Sequence, residues 1–85
     1  MEEEIGRITH FFSKISVGVL EITKGELLVG DTIHIKGHTT DFYQKVESIQ
    51  VEHSAVESAK PGESVGIKVE SPVRENDIVF KVTED

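Results

Sequence analysis

At 85 residues the chain is sized for one small domain, which buries only about 60 to 65% of the surface its unfolded form exposes, so its core has to be efficient. It contains no cysteine, which excludes a disulfide framework, a thiolate zinc site and a cysteine nucleophile. Sixteen acidic against nine basic side chains leave a formal net charge of −7, which repels nucleic-acid phosphates and anionic membrane and argues against non-specific DNA binding.

The chain opens on MEEEIG, unlike a signal or transit peptide, and no later apolar run approaches the ~20 residues that cross a bilayer. A soluble, cytoplasmic protein is expected, with residues 1–4 and 83–85 fraying at the ends. In THFFSK, residues 9–14, adjacent Phe11 and Phe12 cannot both point inward on a regular strand. An exposed Phe there marks either a protein contact or a bulge. Ser13-Lys14 then turns the chain into ISVGVLEI, residues 15–22, which is apolar on both faces. Val17 and Val19 share one face, while Leu20 and Ile22 are displaced by one step. A bulge near Gly18 or burial on both sides accounts for the shift.

Lys24-Gly25 ends that strand, and ELLVGDTIHIKG follows at residues 26–37. Val29-Gly30-Asp31 reads as a tight corner, with Gly30 free to take a positive φ and Asp31 able to accept backbone N–H groups the turn leaves unpaired. Beyond it Ile33 and Ile35 alternate with His34 and Lys36, and Gly37 to Asp41 make the next turn. YQKVESIQVEH, residues 43–53, changes phase between Val46 and Ile49, which predicts a second bulge. Pro61-Gly62 supplies the φ values of a type II turn before Val65, Ile67 and Val69 alternate with Gly66 and Lys68. In SPVRENDIVFKV, Asn76 stands where Gly30 stood, ahead of an Asp and an alternating strand whose apolar face is Ile78, Phe80 and Val82. No helical stripe of convincing length appears anywhere. The pattern predicts an all-β fold over residues 1–85: a single small closed antiparallel β-barrel of about six strands, closure removing exposed edges.

Gly25, Leu27, Val29-Gly30-Asp31, Ile33 and Ile35, then Val46, Ser48-Ile49, Ala59, Pro61-Gly62 and Val65-Gly66-Ile67 together resemble domain II of translational GTPases of the elongation factor Tu and initiation factor type. The resemblance covers residues 25–69 best, with 5–22 and 73–82 fitting the outer strands. It implies a translation-protein barrel. No G-x-x-x-x-G-K-[ST] phosphate loop is present, so nucleotide hydrolysis is not carried over. The ending SPVRENDIVFKV is also similar to the small C-terminal barrel of collagenase-like peptidases, which implies an accessory module and brings no catalytic residue.

The residues that could carry a function gather in KGHTTDFYQK, residues 36–45. Lys36, His38, Thr39, Thr40, Tyr43 and Lys45 surround one connection, and aromatics interleaved with cations and hydroxyls can stack bases and hold phosphates. The same composition also suits a hairpin whose aromatic caps the barrel mouth. A wider basic patch would draw on Arg7, Lys14 and Lys60 with His10, His34, His38 and His53, or these are surface residues scattered in solvent. His34 and His38 have helical ligand spacing but lie on a strand leading into a turn, so no metal and no cofactor are expected. No G-x-S-x-G turn accompanies the serines, and no enzymatic activity is expected. The leading expectation is a non-catalytic, translation-factor-like binding module contacting RNA or a ribosome-associated complex. The alternative is a protein-interaction module accessory to a separately encoded peptidase or GTPase-like subunit.

Overall fold

A computed structural model describes residues 1–83, and no helix occurs among them. Ten strands follow one another: β1 (Glu2–Phe12), β2 (Val17–Ile22), β3 (Leu27–Leu28), β4 (Thr32–Lys36), β5 (Asp41–Lys45), β6 (Ile49–Val51), β7 (Ser54–Val56), β8 (Ser58–Ala59), β9 (Ser64–Lys68) and β10 (Ile78–Val82). Eight form one antiparallel sheet in the order β5-β4-β10-β1-β2-β9-β6-β7, and β3 pairs with β8 in a small second sheet. The alternating residues read from the sequence line the interior of the curled sheet. Ile33, Ile35, Leu20, Ile22, Val65, Ile67 and Val69 are buried there. Ala59 is fully buried opposite Leu27.

The all-β expectation holds, but strand pairing does not close a barrel. The ladder has two ends, β5 and β7, which are not hydrogen-bonded neighbours. A side chain joins β5 to the end of β9, an inner strand of the same sheet, instead. Gln44 on β5 is buried; its Nε2 donates to the Lys68 carbonyl at 2.8 Å and its Oε1 accepts from the Glu70 N–H at 2.8 Å. One amide thus offers the donor and acceptor that a neighbouring strand would have supplied.

Three corners share one construction. In Leu28–Asp31, Lys60–Glu63 and Arg74–Asp77 the fourth residue's N–H donates to the first residue's carbonyl. Its carboxylate accepts the first residue's N–H at 2.8, 2.6 and 2.9 Å respectively. The third residue has positive φ in each: Gly30, Gly62 and Asn76. These are type II turns closed by an acid. The echo between the Gly30 and Asn76 segments is therefore physical, with Lys60–Glu63 as a third instance. The β6–β7 hairpin turns on Glu52 and His53, both left-handed, as a two-residue I′ turn requires.

Several expectations on phase are corrected. The bulges lie on β1, at Glu4/Gly6 and Ile8/His10, and not within β2, where the alternative expectation of two-sided burial fits: Leu20 and Ile22 are buried on one face and Val17 and Val19 half-buried on the other. The phase change after Val46 needs no bulge, because the chain leaves extended pairing over 46–48 before β6 begins. On β10, Val79 is the buried residue, while Ile78, Phe80 and Val82 face outward and are half-buried. Ladder pairing to β4 sets this, since Val79 lies opposite inward Ile35 and Phe80 opposite outward His34. Residues 2–4 lie within β1, and the Met1 carbonyl accepts the Thr83 N–H at 2.8 Å. The rest of the segment expected to fray, residues 84 and 85, lies outside the described residues.

Candidate functional site

The β4–β5 hairpin holds the residues singled out by sequence, and its two faces do different things. Gly37 starts the turn, its N–H donating to the Thr40 carbonyl at 2.7 Å. A side chain at 37 would run into the Asp77 carboxylate, which is already closing the Arg74–Asp77 turn. Glycine here lets the hairpin turn pack directly on that corner.

On the outer face His34 is buried to 7% exposure. Its ring stacks on Tyr43 from β5, centroids 4.1 Å apart and 12° from parallel, with Phe80 of β10 on the far side at 5.9 Å. Nδ1 meets a Glu2 carboxylate oxygen at 2.6 Å and Nε2 meets Asp41 at 2.5 Å, so both nitrogens face acceptors. The Tyr43 hydroxyl donates to the other Glu2 oxygen at 2.7 Å. Burial opposes charge on the ring and is the largest single influence on it. The hydrogen bonds to Asp41 and Glu2, with their charges, outweigh it and raise the His34 pKa above the ordinary imidazole value. The Tyr43 and His34 hydrogen bonds hold the Glu2 carboxyl below its ordinary value, and donation to Glu2 pushes the Tyr43 phenol up. This outer-face cluster is an ion-paired clamp joining β1, β4 and β5. With both nitrogens engaged, His34 has no free position for a proton relay or a metal. Among the described residues no group of His, Asp and Glu is arranged to hold a metal ion.

Around the hairpin turn a groove of about 690 Å³ opens between residues 39–42 and 71–74. Phe11, Phe42 and Val73 give it an apolar floor, and Thr39, Thr40 and Arg74 stand along it. Phe11 and Phe42 are partly buried against the core, so each presents one side to the groove.

The predicted set is therefore divided. Thr39 and Thr40 line the groove, with Thr40 buried and Thr39 exposed. Tyr43, 55% exposed, belongs to the His34 clamp on the opposite face. Lys36 pairs with Asp41 and Lys45 with Thr32 in the ladder, which sets the two lysines at opposite ends of the hairpin. Four residues of strand separate them by about 13 Å, and the carboxylates of Asp41 and Glu2 lie between them. Lys36, His38 and Lys45 are exposed and line no part of the groove. The wider basic patch is also broken up, since Arg7 pairs with Glu21 at 3.1 Å. Phe11, Phe42, Val73 and Arg74 were not among the predicted site residues. The Phe11-Phe12 doublet was the available signal, because alternation sends Phe11 toward the groove and Phe12 to the opposite face.

Comparison with known proteins points toward peptidases. An uncharacterized protease of Methanocaldococcus jannaschii is 45% identical over 82 residues, which is 95% of this chain and 20% of that protein. A Porphyromonas gingivalis collagenase is 40% identical over 78 residues, 91% of this chain and 22% of that one. The chain thus spans about a fifth of the length of the curated relatives it matches. No family model matches it. The fold is that of the C-terminal domain of a Geobacillus thermoleovorans protein described as a U32 peptidase: TM-score 0.87 at 20% identity, covering 95% of this chain and 93% of that one. These relatives support the collagenase-like resemblance and lend nothing to the translational GTPase one. No helix among the described residues is long and apolar enough to cross a membrane.

Proposed function

We propose that this chain is a non-catalytic accessory module of a collagenase-like peptidase, and that its groove receives an extended stretch of polypeptide. The observation that carries this is the similarity along nearly the whole chain to one fifth of a protease. A small all-β unit that recurs as a minor part of longer peptidase chains serves them most simply by holding substrate or by positioning the rest of the protein. The groove suits the first role. Its aromatic and valine floor offers apolar contact, and the Thr hydroxyls and the Arg74 guanidinium along it can hydrogen-bond a peptide backbone. A non-catalytic role agrees with the chemistry present. Among the described residues no histidine lines the groove, and Asp41, the one carboxylate in the lining, is engaged by His34 and not by the Thr39, Thr40 or Ser71 hydroxyls.

The test is a titration of the isotope-labelled chain with a gelatin-derived peptide and, separately, with short single-stranded RNA at low salt. Amide shifts at Phe11, Thr40, Phe42, Val73 and Arg74 with the peptide, weakened tenfold or more by Phe42→Ser, are expected. Shifts at Lys36 and Lys45 with RNA, and none with peptide, would replace this reading with the nucleic-acid one.

A further inference from the structure

A second apolar surface lies on the outer face of β1, β2 and β9, separate from the groove. The ladder sets Phe12 opposite Val17 and Val17 opposite Lys68, and in the neighbouring row it sets Val19 opposite Gly66. Phe12 is 48% exposed and Ile15, in the adjoining turn, 60%. Gly66 has no side chain to fill the space between these residues and Gln50, which leaves a depression of about 280 Å³. A side chain added at 66 would enter that space and meet Val17 at 3.2 Å. The depression falls below the ~300 to 1,000 Å³ of small-molecule sites and suits a single inserted side chain.

Its walls are positioned. The His10 ring meets Phe12 edge to face, centroids 4.5 Å apart. The far rim is the Glu52-His53 turn, whose two left-handed residues set its course. Charge is distributed here against the trend of the chain. In a chain with sixteen acidic residues to nine basic, the depression is flanked by two lysines, Lys14 and Lys68, against Glu52 in its lining, with the His53 ring beside it. Glu21, one row further on, is paired with Arg7.

We propose that this surface docks a polypeptide partner that presents one apolar side chain flanked by carboxylates, the apolar side chain seating over Gly66. An exposed aromatic beside a pocket is the usual anchor of a protein interface, and a rim of opposite charge selects and steers the partner. An anionic bilayer shares part of this chemistry. The concave depression serves a side chain better than a lipid surface, and the net charge of −7 opposes approach to the bilayer. That the partner is the peptidase polypeptide rests on the function proposed above; the chemistry of the docking surface does not.

The experiment records amide shifts of the full chain with a short peptide carrying Leu-Phe flanked by Glu, with the same peptide carrying Lys for every Glu, and with phosphatidylglycerol vesicles. Saturable shifts confined to Phe12, Ile15, Val19, Gly66 and Lys68 are expected with the Glu peptide, and binding at least tenfold weaker with the Lys peptide. Ile15→Asp and Gly66→Ala should each weaken the Glu peptide tenfold or more while leaving the rest of the spectrum unchanged, which separates lost docking from lost folding. Equal binding of the two peptides, preference for vesicles, or no shifts at all would overturn the proposal. Shifts at Thr40, Phe42 and Val73 instead would also overturn it while supporting the groove as the peptide site.

Discussion

Replacing Gln44 with Leu tests whether one side chain holds the edge strand β5 against the end of β9. Leu has a similar volume and keeps an apolar stem in the core, so the change removes mainly the amide. The Glu70 N–H and the Lys68 carbonyl each lose a partner in a part-buried position. Leaving a buried backbone group unpaired costs about 1–3 kcal/mol, and the added apolar burial returns part of that, so a net loss of about 2–4 kcal/mol is expected. A domain of this size has about 4–13 kcal/mol of stability in total, so the loss is a large fraction of it. Urea unfolding at neutral pH should show the midpoint fall with an unchanged slope, and Tm should drop by roughly 8–30 °C. Gln44→Glu keeps an acceptor for the Glu70 N–H but turns an acceptor toward the Lys68 carbonyl, and should fall by a comparable amount. A loss below about 0.5 kcal/mol for Gln44→Leu would show that β5 stays against the end of β9 without the amide, and would refute the role assigned to Gln44.

The His34 clamp predicts a pH dependence with a definite sign. Because its folded pKa is raised, its contribution is full below the ordinary value of 6.5 and is lost as pH rises through the folded value. Glu2, whose folded pKa is lowered, contributes above its ordinary 4.5 and loses its share as pH falls through the folded value. The stability difference between the natural chain and His34→Gln should therefore peak between those ordinary values and shrink above them; a His34 ring titrating by NMR at or below 6.5 would refute this. Gly37→Ala should destabilise by about 1–3 kcal/mol through its clash with Asp77, a close-packed position where added volume strains its neighbours. Gly30→Ala meets nothing within 4 Å and should cost only about 1–2 kcal/mol from its positive φ. Thermal unfolding of the two variants checks the pair, and a stability loss at Gly37→Ala well below that at Gly30→Ala would count against the packed corner. Phe42→Ser should weaken peptide shifts in the groove tenfold or more while leaving those at Phe12 and Gly66 intact, and a change at both surfaces would mean that they are not independent.

Sequence by itself determined the elements whose causes are local. Two-residue alternation placed Ile33, Ile35, Val65, Ile67 and Val69 in the core, because a strand's side chains alternate whatever it pairs with. The acid-closed turns at Asp31 and Asp77 were legible for the same reason, since each needs only one carboxylate three residues from an N–H and a third residue that tolerates positive φ. The collagenase-like resemblance was legible in the ending SPVRENDIVFKV, while the glycine and proline corners that suggested a translation factor are turn chemistry, which specifies a fold without specifying a function.

Tertiary structure decided whatever depends on which strands lie side by side. Ile78, Phe80 and Val82 looked like a core face until pairing with β4 set Val79 inward. His34 was read as a surface histidine, and only the arrival of Glu2 from the far end of the sequence makes it a buried, doubly hydrogen-bonded ring. Lys36 and Lys45 flank one short segment, yet hairpin pairing sends them to opposite ends. The groove and the Gly66 depression have the same origin: each draws walls from segments distant in the chain, and proximity of that kind is set by strand order and not by any local preference.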